Sequence, residues 1–156
     1  ILLLRLDTIN FFAQTASHDD DYDAQELIGN LTPELDEISG LSMSPGNRNE
    51  LLAIQDEKGK IFRINAKTGA LLFAVTFWKD GDYEAIEAVG SDVWVVKSTG
   101  TLYQVSNVGE LNQSVEKFNT ALTGDNDVEG LAYDASKNRL LLSCTKDAKD
   151  DGNDKN

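Results

Sequence analysis

The sequence is poor in the residues from which most small catalytic or disulfide-bonded proteins are built. Its 156 residues include one cysteine, one histidine, one methionine and two prolines. A single Cys144 excludes an intrachain disulfide, and its setting in Leu140-Leu141-Leu142-Ser143-Cys144 predicts a small buried hydrophobe. A single His18, inside an acidic run, excludes a Cys/His nucleophile pair, a Ser/His/Asp set and a histidine-rich zinc centre. No Gly-x-Ser-x-Gly turn, phosphate-binding loop or paired cysteine is present. No apolar run is long enough to span a bilayer as a helix.

Positive charge is scarce as well. Fourteen Lys and Arg stand against 27 Asp and Glu, for a net charge of −13. Phosphate backbones and anionic lipid both require clustered cations, so neither nucleic acid nor a lipid surface is an expected partner. The balance favours solubility, or a cation as ligand. An unidentified protein or small molecule remains the expected partner class. Hydrophobic residues make up 40 %, enough for one buried core at this length.

Three regions are expected: 1–34, an N-terminal strand and acidic linker; 35–146, a repeated β region; and 147–156, an acidic polar loop or tail. Ile1-Leu2-Leu3-Leu4 with Phe11-Phe12-Ala13-Gln14 reads either as a broken signal-like segment or as a peripheral strand. The run Ser17-His18-Asp19-Asp20-Asp21-Tyr22-Asp23 reads as a solvated spacer, since like charges resist compaction. A start at Ile1 and a polar end are what a piece of a longer protein is expected to show.

Within the middle region, short apolar runs alternate with turns. Strands are expected at 38–43, 51–54, 61–64 and 71–77, then at 83–88, 93–96, 102–105 and weakly at 115–118. A third copy starts at 128–133 and continues at 140–144. Ser44-Pro45-Gly46-Asn47, Gly90-Ser91-Asp92 and Ser136-Lys137-Asn138 supply the turns. The copies are in register. Gly40, Ala85 and Gly130 follow at steps of 45, as do Leu41, Ile86 and Leu131, and the acidic Glu37, Asp82 and Asp127. Four strands per period of 40 to 50 residues is the mark of β-propeller blades. A β-sandwich also has short strands, but predicts no such period. The expected fold is therefore all-β: two and a half to three four-stranded blades of a larger ring.

The motifs Glu37-Ile38-Ser39-Gly40-Leu41-Ser42, Leu51-Leu52-Ala53-Ile54-Gln55-Asp56-Glu57-Lys58-Gly59, Gly81-Asp82-Tyr83-Glu84-Ala85-Ile86-Glu87 and Asn126-Asp127-Val128-Glu129-Gly130-Leu131 occur together and in order. In this the chain resembles the SdiA-regulated family of bacterial propeller proteins, in a version common in Bacteroidetes, over residues 35–144. The resemblance implies a six-bladed parent, exported or associated with the cell envelope. It also implies a distant similarity to phytase-like and lactonase-like propellers, in which acidic residues near the channel hold calcium. Ala85 departs from the glycine of the other two repeats.

The repeated acids are the candidate site. If each motif opens an innermost strand, Glu37, Asp82, Glu84, Asp127 and Glu129 converge at one mouth of the central channel. Residues two apart on a strand share a face, which would set Glu84 with Ile86 and Glu129 with Leu131. Converging carboxylates repel unless a cation intervenes, and calcium takes carboxylate and carbonyl oxygens. Glu84, Asp127 and Glu129 are the metal-ligand candidates. The competing reading makes these acids struts that bond backbone N–H groups of the next blade, with glycine allowing close approach. Asp125 to Gly130 has oxygen donors in EF-hand order but Ser136 at the twelfth position, and Asp147-Ala148-Lys149-Asp150-Asp151-Gly152 has Lys at the third. Asp56-Glu57-Lys58-Gly59 and Lys97-Ser98-Thr99-Gly100 read as turn chemistry, and Trp78 and Trp94 as packing between blades. Function is expected to be that of a binding scaffold, with a calcium-dependent hydrolase as the alternative.

Overall fold

Period-two alternation with turn residues between the runs gives a molecule of strands. The structure, a computed structural model, describes residues 10–14 and 25–146. The acidic run 17–23, the segment 1–4 and the run 147–152 lie outside them. Strands β1 (Asn10–Gln14) and β2 (Gln25–Asn30) form an antiparallel pair. A single 3-10 turn at Pro33–Leu35 leads into the first blade.

Blade 1 is β3 (Ile38–Ser44), β4 (Asn47–Gln55), β5 (Lys60–Asn65) and β6 (Leu71–Thr76), in that order across one sheet. Blade 2 repeats it with β7 (Tyr83–Val89), β8 (Asp92–Lys97), β9 (Thr101–Ser106) and β10 (Ser114–Asn119). Blade 3 is represented by β11 (Val128–Asp134) and β12 (Arg139–Cys144) alone among the described residues. All ladders are antiparallel meanders, which the tight hairpins require. The first hairpin of each blade turns through a left-handed residue: Gly46 (φ 74°), Gly90 (φ 64°) and Asn138 (φ 48°). Glycine takes that backbone freely, and asparagine is among the few side chains that tolerate it.

Strands β3, β7 and β11 each pair with one neighbour inside their own sheet and lie beside one another, β3 next to β7 and β7 next to β11. They are the inner strands. The sheets then stack face to face, and three apolar layers follow from the alternation. Leu52, Ile54 and Ile61 of blade 1 meet Tyr83, Ile86, Val93, Val95, Tyr103 and Val105 of blade 2. Ala85, Val96 and Leu102 of blade 2 meet Val128, with Trp94, Phe118, Leu131, Leu140 and Leu142 half-buried around them. On the far side of blade 1, Leu51, Ala53, Phe62 and Ile64 are covered by Leu35, Ile28 and Leu31.

One expectation is corrected. Cys144 is exposed, not buried. Strand β12 is the outer strand of its sheet; its alternation turns Leu140 and Leu142 toward blade 2 and Leu141 away, and Cys144 is exposed as the last residue of that strand, past the apolar cluster. Ahead of residue 35, the described residues form the pair β1 and β2. Strand β2 is a second strand, and Ile28 just inside it packs on blade 1.

Candidate functional site at the start of the inner strands

Each inner strand begins with the same local device. The acid of the repeat precedes the strand, and the next two residues open a β-bulge. The ladder slips between Ile38 and Gly40, between Tyr83 and Ala85, and between Val128 and Gly130. Ser39, Glu84 and Glu129 are the extra residues, left without a ladder partner. The bulge overturns one expectation. Alternation is broken at this residue, so the two-residue spacing does not set Glu84 on the face of Ile86, nor Glu129 on that of Leu131. Glu37 (φ 62°) and Asp127 (φ 55°) enter their bulges through left-handed backbone, a conformation that acidic residues adopt more readily than branched ones.

The backbone carbonyls of these acids tie each inner strand to the second strand of its own blade. The carbonyl of Glu37 accepts from the Asp56 N–H (3.3 Å), that of Asp82 from Ser98 (3.1 Å), and that of Asp127 from Thr145 (2.9 Å). The same hairpin residues then reach forward. Tyr83 N–H donates to the Asp56 carbonyl at 2.7 Å, and Val128 N–H to the Ser98 carbonyl at 2.9 Å. Each blade thus accepts one hydrogen bond from the first strand residue of the next. Ser39 Oγ adds a second bond between blades 1 and 2, donating to the Tyr83 carbonyl at 2.6 Å. Gly40 explains the glycine of the motif, since a Cβ there would stand 2.9 Å from the Ile86 nitrogen.

The side chains divide into two groups. Asp127 is held by its own blade: its carboxylate accepts from Thr145 Oγ1 at 2.9 Å and pairs with Lys146 Nζ at 3.0 Å. The Lys146 bond, then the Thr145 bond, holds its pKa below the usual carboxylate range. Glu37 is exposed. Asp82 accepts from the Ser98 hydroxyl. Glu84, half-buried, lies against Asp82 and in the field of Glu129 and Asp56. Burial first, then a hydrogen bond with Asp82, then the charges of Glu129, Asp82 and Asp56 push its carboxyl up to about 7. One oxygen of Asp56 is buried and has no hydrogen-bond partner.

Of the five candidate acids, the structure therefore gathers Asp82, Glu84 and Glu129. It leaves Glu37 at the surface and ties Asp127 to Lys146. Sequence reasoning missed Asp56, which reads there as turn chemistry. Its signal is positional: Asp56, Ser98 and Thr145 occupy one place in the repeat, and an acid stands where the other blades carry a hydroxyl. Carboxylate and hydroxyl oxygens are the donors a hard cation takes. Among the described residues, though, no three acidic, histidine or cysteine side chains are placed to hold a metal ion, so the fit is one of donor type and not of a formed shell. Trp78 packs on Tyr103 (centroids 5.3 Å apart) between blades 1 and 2, and Trp94 lies on Phe118 (5.4 Å) beneath blade 3.

Four-stranded antiparallel sheets stacked around adjacent inner strands, joined blade to blade by a repeated hydrogen bond, define a β-propeller. Comparison with known proteins agrees. The chain belongs to the SdiA-regulated family, whose model matches residues 16–149. Among solved structures it is similar to the β-propeller domain of Cps50 (Swd1) from Myceliophteria thermophila, with a TM-score of 0.55 and 14% identity over 91% of this chain. It spans 48% of that propeller. A second similar structure is BamB from Moraxella catarrhalis, with a TM-score of 0.39 and 14% identity over 78% of this chain and 54% of the other. No curated protein matches the chain.

Proposed function

We propose that this chain is part of an envelope-associated bacterial propeller that acts as a binding scaffold and accepts a cation at the mouth of its channel. The observation that carries the reading is the company of Glu84. Among the described residues, the charged groups bearing on it (Glu129, Asp82 and Asp56) are acidic. An uncompensated cluster raises the free energy of the ionised state, and a cation at the mouth would relieve it. Calcium is the ion this donor chemistry suits. The net charge of −13 favours the approach of any cation.

The scaffold is completed, in this reading, by further blades of one ring. Leu41 and Met43, each 47% exposed, lie on the face of blade 1 turned away from blade 2, and Leu141, 44% exposed, on the face of blade 3 turned away from blade 2. Location at the envelope rests on the family's resemblance to exported proteins, and fractionation of cells carrying the tagged full-length protein tests it. Calcium titration by calorimetry tests the site. Saturable binding, weakened in both Glu84→Gln and Glu129→Gln, supports it. Binding indifferent to both substitutions removes the shared site and leaves the acids as struts between blades.

A further inference from the structure

A cavity of about 500 Å3 opens between blades 1 and 2, at the end of the inner strands opposite the acidic mouth. Its rim is the two inner hairpin turns, with Pro45 and Gly46 on one side and Gly90 and Ser91 on the other. Its floor is apolar, made by Leu52, Val93 and Val108. Both walls are complete four-stranded blades, so the described residues set its shape by themselves.

One charged side chain reaches the floor. Arg63 lies with its guanidinium 4.6 Å above the Phe73 ring, and its Nη1 stands 3.4 Å from Glu50 Oε2. That separation is a charge contact and not a full hydrogen bond. Arg63 Nε is buried and has no partner. Phe73 and Glu50 thus hold the guanidinium in place, and the Arg63 side chain keeps 27% of its surface exposed where it lines the cleft. The repeat shows that this is a departure. In blade 2 the equivalent pair is Asp92 and Gln104, joined by a 2.5 Å hydrogen bond that uses the amide. Blade 1 carries an arginine, with five donors, where blade 2 carries a satisfied glutamine.

The charges select the class of ligand. Glu50 offsets Arg63, and Glu110 stands at the rim with Asn107. An anion gains little here, and a purely apolar molecule would leave the donors of Arg63 unmatched. A molecule whose groups both donate and accept, and which carries a C–H face for the floor, fits both halves. We propose that this cleft between blades is a binding site for a neutral polyhydroxylated molecule, a mono- or disaccharide, held by Arg63 over Leu52, Val93 and Val108.

The test is a titration of the isotope-labelled full-length protein, monitored by amide NMR, with glucose, galactose, N-acetylglucosamine and maltose as separate probes. Sodium acetate and phosphate serve as anion probes. Saturable shifts at Gly46, Gly90, Ser91 and Val108 are expected with at least one sugar. Arg63→Gln, which copies the pair blade 2 already accepts, should weaken that binding by about tenfold, the loss of one charge-assisted hydrogen bond. Ser91→Trp fills the cleft from an exposed turn, should abolish the shifts, and decides the matter if Arg63→Gln does not fold. The proposal is overturned if no sugar gives saturable shifts, if acetate or phosphate saturates these amides in their place, or if Ser91→Trp leaves binding unchanged.

Discussion

The joint between blades 1 and 2 and the joint between blades 2 and 3 share one backbone and differ in chemistry. Both use a bulge at the start of the inner strand and one N–H donated back to the preceding blade, from Tyr83 to the Asp56 carbonyl in the first and from Val128 to the Ser98 carbonyl in the second. At the bulge, the first joint is made by neutral groups. Ser39 donates to the Tyr83 carbonyl, and Tyr83, fully buried, sets its ring edge-on to Phe77 (5.1 Å) and Tyr103 (5.9 Å). The second is charged where the first is neutral. Glu84 takes the place of Ser39 and faces other carboxylates. A repeat constrains what must hold blades together, and the residues that depart from it mark where the molecule does something else.

Deep truncation should break this contrast most visibly. Tyr83→Ala is expected to cost about 3–5 kcal/mol, as a fully buried aromatic does. Leu140→Ala, half-buried in the second joint, should cost about 1–2 kcal/mol. Denaturant unfolding compares them, and equal costs would mean that the two joints are not unequal in packing. Glycine comes next. Gly40→Val drives side-chain atoms into the Ile86 backbone and should cost about 1–3 kcal/mol. At the equivalent place in blade 2, Ala85→Gly should cost at most about 1 kcal/mol. Ser39→Ala removes a single bond between the blades, for about 1 kcal/mol.

The pH-dependent effect is the most specific. The folded-state pKa of Glu84, about 7, lies above its ordinary 4.5. Between those values the folded chain binds a proton that the unfolded chain releases, so this group favours the fold at low pH. Its contribution is complete below about pH 4.5 and is lost as pH rises through about 7. Glu84→Gln should therefore unfold at higher denaturant than the parent at pH 8 and at nearly the same denaturant at pH 5. Asp127 runs the other way. Its lowered pKa stabilises the fold above the ordinary 3.8, and that gain disappears as pH falls through the lowered value. An Asp127→Asn protein should differ from the parent at neutral pH and converge with it in acid.

Much of the fold was legible because a propeller writes its period into the chain. Glu37, Asp82 and Asp127, 45 residues apart, each stand one residue before an inner strand. The short apolar runs Leu51-Leu52-Ala53-Ile54 and Val93-Trp94-Val95-Val96, each bounded by turn residues, are enough to place the second strands. The bulges were not legible, because Ile38-Ser39-Gly40 and Tyr83-Glu84-Ala85 look like ordinary alternation until pairing across the sheet is known. For that reason the sequence points to the acids of the site but not to their grouping. Asp127 was expected with Glu84 and is tied to Lys146. Asp56 joins the cluster through a loop contact between blades that has no local pattern. Arg63 could not be singled out either, since its meaning lies in a comparison with Gln104 that only the aligned ladders provide.

The most direct test of the account is calcium titration of the full-length protein at pH 7, repeated in two buffers of different ionisation heat. The account predicts saturable binding with net proton release, because Glu84 is about half protonated at that pH and must ionise to meet a cation. In Glu84→Gln the binding should weaken and the proton release should vanish. An absence of binding heat, or binding with no proton release that survives Glu84→Gln, would contradict it and leave the acidic mouth as part of the ring's framework.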